Sequence, residues 1–418
     1  MAVIDTLGLP NTRGRGPLVV AQAVDALGTG LFLPFAVVYF HAAKDIGLTT
    51  VGVMLSVAAL ISLPAGPLAG PLIDRFGPRA VMIASNLIRV ATFTGYVFTD
   101  ARWQLVLLVT ATLCGESLFR PAATALVAHI ADEGQRTRWY AMQRSLRNVG
   151  FGAGGLFGSL LVAWDGGGGY TLVVLLNAAS FLVTAVLIGT WRPLTVLPGT
   201  APGPVVRPVG ERGGYREVLA DRAFLGFLVT VLVFALCDLA LTVLLSAYVI
   251  DARGLPAWQP GMLFAINTGL VMLAQTWVAK AIERRRRPRV LQVAAVLWIV
   301  SFAVFACVPT ADTTLAFAGL ALGMVVFTVA ELLQAPTSSA LIVSMADARV
   351  RGRYLGLEEL MWGLAKVAAP AVFTQLLTAR PELPWLVLGV CCLAAVAVLA
   401  RLNRTLPVAA LRETVDHA

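Results

Sequence analysis

The sequence predicts an all-α membrane protein with twelve transmembrane helices in two pseudo-symmetric six-helix bundles. Of its 418 residues, 58% are hydrophobic and 13% are charged, and the mean hydropathy is +0.81. Most of such a chain prefers lipid to water. Twelve apolar runs reach the length of about 20 residues that a helix needs to cross roughly 30 Å of hydrocarbon. The second six runs also repeat features of the first six, as shown below.

The apolar runs form two groups on either side of a segment rich in Pro, Gly and Arg. The first six cover residues 17–40, 49–70, 80–99, 103–131, 139–164 and 170–191. The second six cover residues 223–250, 257–281, 290–308, 313–345, 354–378 and 384–402. We therefore predict an N-terminal bundle (1–191), a cytoplasmic linker (192–221) and a C-terminal bundle with a short cytoplasmic tail (222–418). Residues 215–219 are expected to form a short helix on the inner membrane surface.

An internal repeat relates the two groups. A shift of 215 residues places Glu116 on Glu331, and a shift of 209 residues places Tyr39 on Tyr248. A loop insertion accounts for the difference between the two shifts. Self-similarity at this distance predicts two six-helix units in parallel repeat.

The basic residues predict the orientation in the membrane. With the N-terminus inside, the outer loops contain only Lys44, Arg102, Arg253 and Arg380, and the other loop arginines lie in cytoplasmic segments. This asymmetry predicts a multi-pass protein of the inner cell membrane with both termini in the cytoplasm. The run Arg284–Arg287 is interpreted as a topology anchor near anionic lipid, and no nucleic-acid partner is expected. We expect a monomer.

Other classes of protein and site are excluded by composition. The first apolar run is too long for a cleavable signal peptide and contains Asp25, so we expect it to be retained. The five cysteines and three histidines lack the spacing of a metal site or a disulfide framework. We expect neither a metal nor a cofactor. We also do not expect an enzyme, because the sequence shows no pairing of a nucleophile with a base. The glycine run at 165–169 is interpreted as an outer turn, since it lacks the surroundings of a phosphate-binding loop.

A short polar break between the second and third runs has the spacing G-x-x-x-D-R-x-G-x-R. It contributes Gly70, Asp74, Arg75, Gly77 and Arg79. Gly70 is expected to permit close helix approach, and Gly77 a tight reversal. The pattern resembles the signature loop of the major facilitator superfamily, which implies a cytoplasmic latch between the two halves of a transporter. The second copy keeps an acid and a base, Glu283 and Arg284, but loses the glycines.

The fifth predicted helix is rich in glycine. Small residues four apart allow membrane helices to pack backbone to backbone, and the series includes Gly150, Gly154, Gly155 and Gly158. It is similar to the antiporter motif G-x-x-x-G-P-x-x-G-G of the same superfamily. Gly155 replaces the proline of that motif, and Ser159 replaces its last glycine. The resemblance implies export against an incoming proton.

Ionisable residues inside the predicted spans are candidates for proton coupling, because each costs roughly 2.5–3.5 kcal/mol to insert. The carboxylates are Glu331, Asp238, Asp25 and Glu116, and the cations are Arg89, Arg120, Arg144, Arg147 and Lys366. Glu116 and Arg120 have i, i+4 spacing and can form a static ion pair or a coupling site. Glu331 is our first choice, because the segment from Glu331 to Pro336 resembles that of drug–proton antiporters. Alternatively, these carboxyl groups are packing residues or partners of cations on other helices.

Two further sets of residues follow from the repeat. Arg144 and Glu359 occupy equivalent positions with opposite charge, so they are candidates for a gating ion pair. The substrate is expected near the midplane, with aromatic residues there serving packing or ligand contact. Candidate cavity residues are Gln22, Phe32, Asn148, Asn267, Gln275, Trp298, Gln334 and Trp362. Few fixed charges in the spans favour a neutral or cationic lipophile.

The function that the sequence favours is export of a small lipophilic substrate, a drug-like compound or metabolite, across the lipid bilayer in exchange for protons. Alternating access of the two halves is the mechanism that the resemblance implies. Two alternatives stay open: a facilitator or proton symporter that imports a nutrient, and a non-transporting membrane sensor or scaffold.

Overall fold

The computed structural model describes residues 14–130, 136–191, 215–282, 285–309, 312–345 and 351–405, and every regular element in these ranges is helical. Within these ranges, eleven helices are long and apolar enough to cross a membrane, and a bent pair supplies a twelfth. The first six spans are α1 (Gly16–Ala43), α2 (Leu48–Ser62 with Ala65–Phe76), α3 (Pro78–Phe98), α4 (Arg102–Ile130), α5 (Arg138–Trp164) and α6 (Gly168–Thr190). The others are α7 (Arg222–Ala252), α8 (Trp258–Ile282), α9 (Arg287–Ala306), α10 (Thr313–Met345), α11 (Arg351–Ala379) and α12 (Leu383–Thr405). A short helix, Tyr215–Ala220, precedes α7, close to its predicted place.

The contacts divide the chain into two compact units. Unit 1 comprises Met1–Gly47 and Val53–Val209, and unit 2 comprises Leu48–Gly52 and Gly210–Ala418. In unit 1, α1 packs against α5 and α6, α3 packs against α6, and α4 packs against α2 and α3. In unit 2, α7 packs on α11 and α12, α9 on α10 and α12, and α8 on α10. Most of the predicted linker, residues 192–214, lies outside the described residues.

Equivalent hydrogen bonds in the two units follow the 209-residue shift. Lys44 Nζ donates to the carbonyl of Val97 at 3.0 Å, and Arg253 Nη2 donates to that of Ala306 at 3.3 Å. Both the donors and the acceptors are 209 residues apart. The helices α1 and α7 also end in π-helical turns at equivalent positions, Tyr39–Ala43 and Tyr248–Ala252. The repeat seen in the sequence therefore extends to backbone geometry.

The loop between α5 and α6 is a tight reversal. Residues 165–169, where an outer turn was expected, keep local helical turns between the two spans. A Cβ atom on Gly169 would nevertheless lie 2.4 Å from the carbonyl oxygen of Leu161. Residues eight apart on a straight helix are separated by about 12 Å. The chain therefore turns back on itself here, and α5 and α6 are separate spans.

The signature loop follows a bent helix. The two parts of α2 meet at 43°, and Pro64 stands at the break, where a proline removes a backbone donor and clashes with the preceding turn. Gly77 ends α2 with a φ of +79°, as its predicted reversal requires, and Pro78 begins α3. A Cβ atom on Gly70 would meet no heavy atom of the described residues within 4 Å, so the close helix approach expected there stays a prediction.

The glycines of α5 lie directly against the backbone of α1. A Cβ atom on Gly150 would lie 2.5 Å from Ala26 Cβ. One on Gly154 would lie 2.3 Å from the carbonyl oxygen of Leu27, and one on Gly158 would lie 2.6 Å from that of Leu31. Gly155 is buried as well. Hydrogen is therefore the largest side chain that this helix pair accommodates at these three positions without moving apart.

We expect Gly154→Ala to destabilise the protein by about 1–3 kcal/mol, the usual cost of overpacking, because its methyl group would meet backbone that cannot rotate away. Thermal unfolding of the purified protein in detergent measures the effect. Gly389→Ala on α12 is the matched control, since a Cβ atom there would have no heavy atom of the described residues within 4 Å. Equal unfolding temperatures for the two variants would contradict the tight α1–α5 packing.

Candidate functional site

A buried ion pair joins α1 to α3 inside unit 1. Arg89 Nη2 lies 2.7 Å from Asp25 Oδ1, and the same nitrogen donates to Asn86 Oδ1 at 2.6 Å. The guanidinium carbon lies 4.5 Å from the ring centroid of Phe119 and 4.1 Å from that of Phe181. Only 3% of the Arg89 side chain is exposed. A charge at this depth needs such partners, and here a carboxylate, an amide and two aromatic rings provide them.

A cavity of about 120 Å³ opens beside this pair, lined only by unit 1. Its charged and amide-bearing lining includes Gln22, Asp25, Arg89, Glu116, Arg120 and Arg147. The ion pair expected between Glu116 and Arg120 is not formed among the described residues. The amide nitrogen and oxygen of Gln22 are both buried and have no hydrogen-bond partner among the described residues. The cavity is therefore lined by charged groups, and Gln22 in its wall has an amide that the described residues leave unsatisfied.

Unit 2 contains a second polar cluster, formed by α7, α8 and α10. Asn267 Nδ2 donates to Glu331 Oε2 at 2.8 Å and to Thr328 Oγ1 at 3.1 Å. Asp238 lies close enough to Glu331 for the two carboxyl groups to interact electrostatically. The buried Oδ1 atom of Asp238 accepts no hydrogen bond from the described residues. Two neighbouring carboxyl groups in an apolar interior repel each other when both are charged.

The two clusters differ at one equivalent position. Asp25 and Asp238 lie on the equivalent helices α1 and α7, and Glu116 and Glu331 are related by the 215-residue shift. The 209-residue shift places Arg89 on residue 298, which is a fully buried tryptophan with its ring centroid 5.2 Å from that of Phe234. Unit 2 therefore retains the carboxyl groups without the arginine that neutralises Asp25 in unit 1.

Arg79 joins the signature loop to the end of α6. Its Nε atom donates to the carbonyl of Ile188 at 3.1 Å, and Nη2 donates to that of Gly189 at 2.6 Å. A cation is favourable at the C-terminal end of a helix. Asp74 and Arg75 are exposed and form no ion pair within the described ranges. The second copy of the latch, Glu283 and Arg284, lies outside those ranges.

Two of the predicted cavity residues pack in aromatic clusters instead. The ring of Phe32 lies 4.8 Å from that of Phe93, and Trp298 is fully buried. Gln334 is also buried. Asn148, Gln275 and Trp362 are partly exposed. Arg144 and Glu359 are exposed on different units, so their pairing stays a prediction.

The pairing of Asp25 with Arg89 was not predicted from the sequence. The two residues are 64 positions apart and belong to helices that are not consecutive. Opposite charges inside two apolar runs were the one available signal, and they do not specify which acid meets which base.

Known proteins resemble this chain along most of its length. Multidrug resistance protein MdtH of Klebsiella pneumoniae (strain 342) is 27% identical over 381 residues, covering 90% of each chain. MdtH of Salmonella typhimurium (strain LT2) is 27% identical over 384 residues, covering 90% of this chain and 91% of that one. Nucleoside transporter NupG has a similar fold, with a TM-score of 0.75 and 14% identity over 94% of this chain and 99% of that one.

An auto-inhibited peptide transporter of the POT family also matches, with a TM-score of 0.70 and 15% identity over 97% of this chain and 99% of that one. At such low sequence identity, these two structural matches show the fold alone. The matches confirm the predicted all-helical class. The family model for the Major Facilitator Superfamily matches residues 18–370, which is most of the chain. This chain is therefore a multi-pass membrane transporter that belongs to the major facilitator superfamily.

Proposed function

We propose that this transporter exports hydrophobic drug-like compounds or metabolites in exchange for protons, with both termini in the cytoplasm. The observation that carries the proposal is the cluster of Asp238, Asn267 and Glu331 in unit 2. Its two carboxyl groups lie inside membrane helices, and the amide of Asn267 is a hydrogen-bond donor to one of them. The similarity to proteins described as multidrug resistance proteins supports the substrate class.

The cluster is suited to binding and releasing a proton. Asn267 donates to Glu331 Oε2, and a carboxyl group can accept this bond whether it is charged or neutral. Protonation of one acid therefore removes a negative charge from the cluster without breaking the hydrogen bond. It also relieves the repulsion between Asp238 and Glu331. Each proton that enters along a membrane potential supplies about 2.3 kcal/mol per 100 mV.

Alternating access requires that the charge state of the cluster change the relative stability of two conformations. Asp74 and Arg75 are exposed and free of ion pairs among the described residues, so they are available to form the cytoplasmic latch. Arg79 is already bonded to the end of α6 and would hold the loop in place. We propose that the latch closes in the outward-facing conformation and opens after protonation.

The two alternatives differ from export in measurable ways. A proton symporter would move its substrate in the same direction as the protons. A sensor or scaffold would move none, and it would have little reason to retain carboxyl groups that each cost roughly 2.5–3.5 kcal/mol to insert. The carboxyl cluster therefore favours a coupled transporter over a non-transporting protein.

Proteoliposomes with an imposed pH gradient test the proposal. The probes are a lipophilic cation, a neutral lipophile and an amphiphilic acid. We expect at least one of them to move against the proton flux, and a protonophore to abolish that movement. Movement in the direction of the protons would support symport instead. If none of the probes responds to the gradient, proton-coupled export of lipophiles is wrong.

A further inference from the structure

The cavity of unit 1 carries an excess of positive charge. Asp25 and Arg89 neutralise each other across 2.7 Å. The other charged residues that line the cavity are one acid, Glu116, and two bases, Arg120 and Arg147. Neither arginine has an ion-pair partner within the described ranges. Arg144 also lies close enough to act electrostatically on Arg147. The unpaired charge available to a ligand is therefore cationic.

Gln22 adds a hydrogen-bonding requirement to this charge. Its amide nitrogen and oxygen are both buried and have no partner among the described residues, although the side chain lines the cavity. Leaving a buried polar group unsatisfied costs about 1–3 kcal/mol. A rotation of the Gln22 side chain toward the cavity would let its amide bond to an oxygen atom of a ligand and recover part of this free energy.

The size and walls of the cavity restrict the occupant. Its volume of about 120 Å³ is smaller than the roughly 300–1,000 Å³ of pockets that enclose whole drug-sized molecules. The cavity therefore has room for one end of such a molecule. Phe119, Ala123 and Phe151 line it beside the charged groups, so an apolar surface adjoins the cationic one.

We propose that this cavity binds the carboxylate end of an amphiphilic substrate, between Arg120 and Arg147 and beside Gln22. The planar guanidinium group matches the two oxygens of a carboxylate, and such charge-assisted bonds are about twice as strong as neutral ones. The apolar part of the substrate contacts the aromatic wall. This inference rests on the proposed function and narrows its substrate class, and it replaces the neutral or cationic preference that the sequence favoured.

The test is binding of three probes with a similar ring system: 1-naphthylacetate, neutral 1-naphthylacetamide and cationic 2-(1-naphthyl)ethylamine. Calorimetry is performed on the full chain in nanodiscs of zwitterionic lipid. We expect the acid to bind about tenfold more tightly than the amide, which corresponds to about 1.4 kcal/mol, and the amine to bind most weakly. Arg147→Gln and Arg120→Gln should each weaken binding of the acid more than binding of the amide and so remove most of this preference.

Two further variants test whether the lost preference for the acid comes from the Arg147 guanidinium group itself, and not from unfolding or from a change in the net charge of the protein. Arg147→Lys keeps the charge and should retain part of the preference for the acid. Arg102→Gln, at an exposed position outside the cavity, should retain all of it. Equal affinity of the wild-type protein for the three probes would overturn the proposal. So would an equal loss in Arg102→Gln and Arg147→Gln.

The same measurement in discs that contain phosphatidylglycerol distinguishes a lipid headgroup from a substrate. Loss of acid binding there would identify lipid phosphate as the occupant and would also overturn the proposal. Because no gradient is present, the result does not depend on transport. Selective binding of the acid without proton-driven export would contradict the proposed function and leave the carboxylate site standing.

Discussion

Asp25→Asn is expected to destabilise the protein by about 3–5 kcal/mol and to stop transport. The substitution leaves the Arg89 side chain, 3% exposed, without its counter-ion in the interior of unit 1. Asn86 and the two aromatic rings remain in contact with the guanidinium group, but none of them carries a negative charge. Thermal unfolding in detergent and uptake by proteoliposomes measure the two effects. Arg89→Met should be similarly harmful, because it leaves the carboxylate of Asp25 unpaired.

The double variant Asp25→Asn with Arg89→Met separates the structural part of this pair from a role in coupling. Removal of both charges should restore much of the stability, since a buried pair often contributes little beyond its own desolvation cost. Transport should stay absent if Asp25 also carries protons, and it should return if the pair is only structural. If the double variant loses as much stability as the two single variants together, the two side chains do not interact directly.

An ion pair of the same unit whose carboxylate is open to water provides the control. Lys44 and Asp100 lie 2.9 Å apart, with 90% of the Asp100 side chain and 9% of the Lys44 side chain exposed. Exposed pairs are typically worth about 0–1 kcal/mol, so Asp100→Asn should change the unfolding temperature little. If Asp100→Asn and Asp25→Asn lower the unfolding temperature by similar amounts, the effect comes from losing a charge in general and not from its burial.

Hydropathy was sufficient to predict the spanning helices of this chain, because an apolar run of fixed length has few alternatives to a membrane helix. Glycines at four-residue spacing indicated a close helix contact at Gly150, Gly154 and Gly158, and the structure places those positions against the backbone of α1. Gly70 had the same composition signal, but it has no such contact among the described residues. A glycine permits close approach, but whether a neighbouring helix lies there depends on tertiary structure.

The chemistry of the candidate site was less predictable, since it depends on which helices are neighbours. The sequence showed Asp25 and Arg89 as separate charges, and it offered Glu116 and Arg120 as a pair that the structure does not form. Trp298 was a candidate for a cavity wall although aromatic residues in helices more often serve packing. Its burial against Phe234 decides between these roles.

Glu331→Gln is expected to abolish transport driven by a pH gradient while leaving the protein folded. Glutamine keeps the size of the side chain and an oxygen that can accept the bond from Asn267 Nδ2, now 2.8 Å from the carboxylate. It cannot bind or release a proton near neutral pH. We therefore expect gradient-driven efflux to fall to the level of protein-free liposomes, while exchange of substrate without a gradient persists. Glu382→Gln, which removes a carboxylate 37% exposed and 3.0 Å from Arg253, is the control and should keep its coupling.

Asp238→Asn completes this prediction, because the two acids act on each other. If protonation of Glu331 is favoured by the charge of Asp238, then Asp238→Asn should change the pH at which transport is half-maximal without abolishing it. If proton coupling survives Glu331→Gln but is lost in Asp238→Asn, the residue that binds the proton is Asp238. Coupling that survives both variants would contradict a proton site in unit 2. The proton would then have to be carried by Asp25 or Glu116, beside the arginines of the unit 1 cavity.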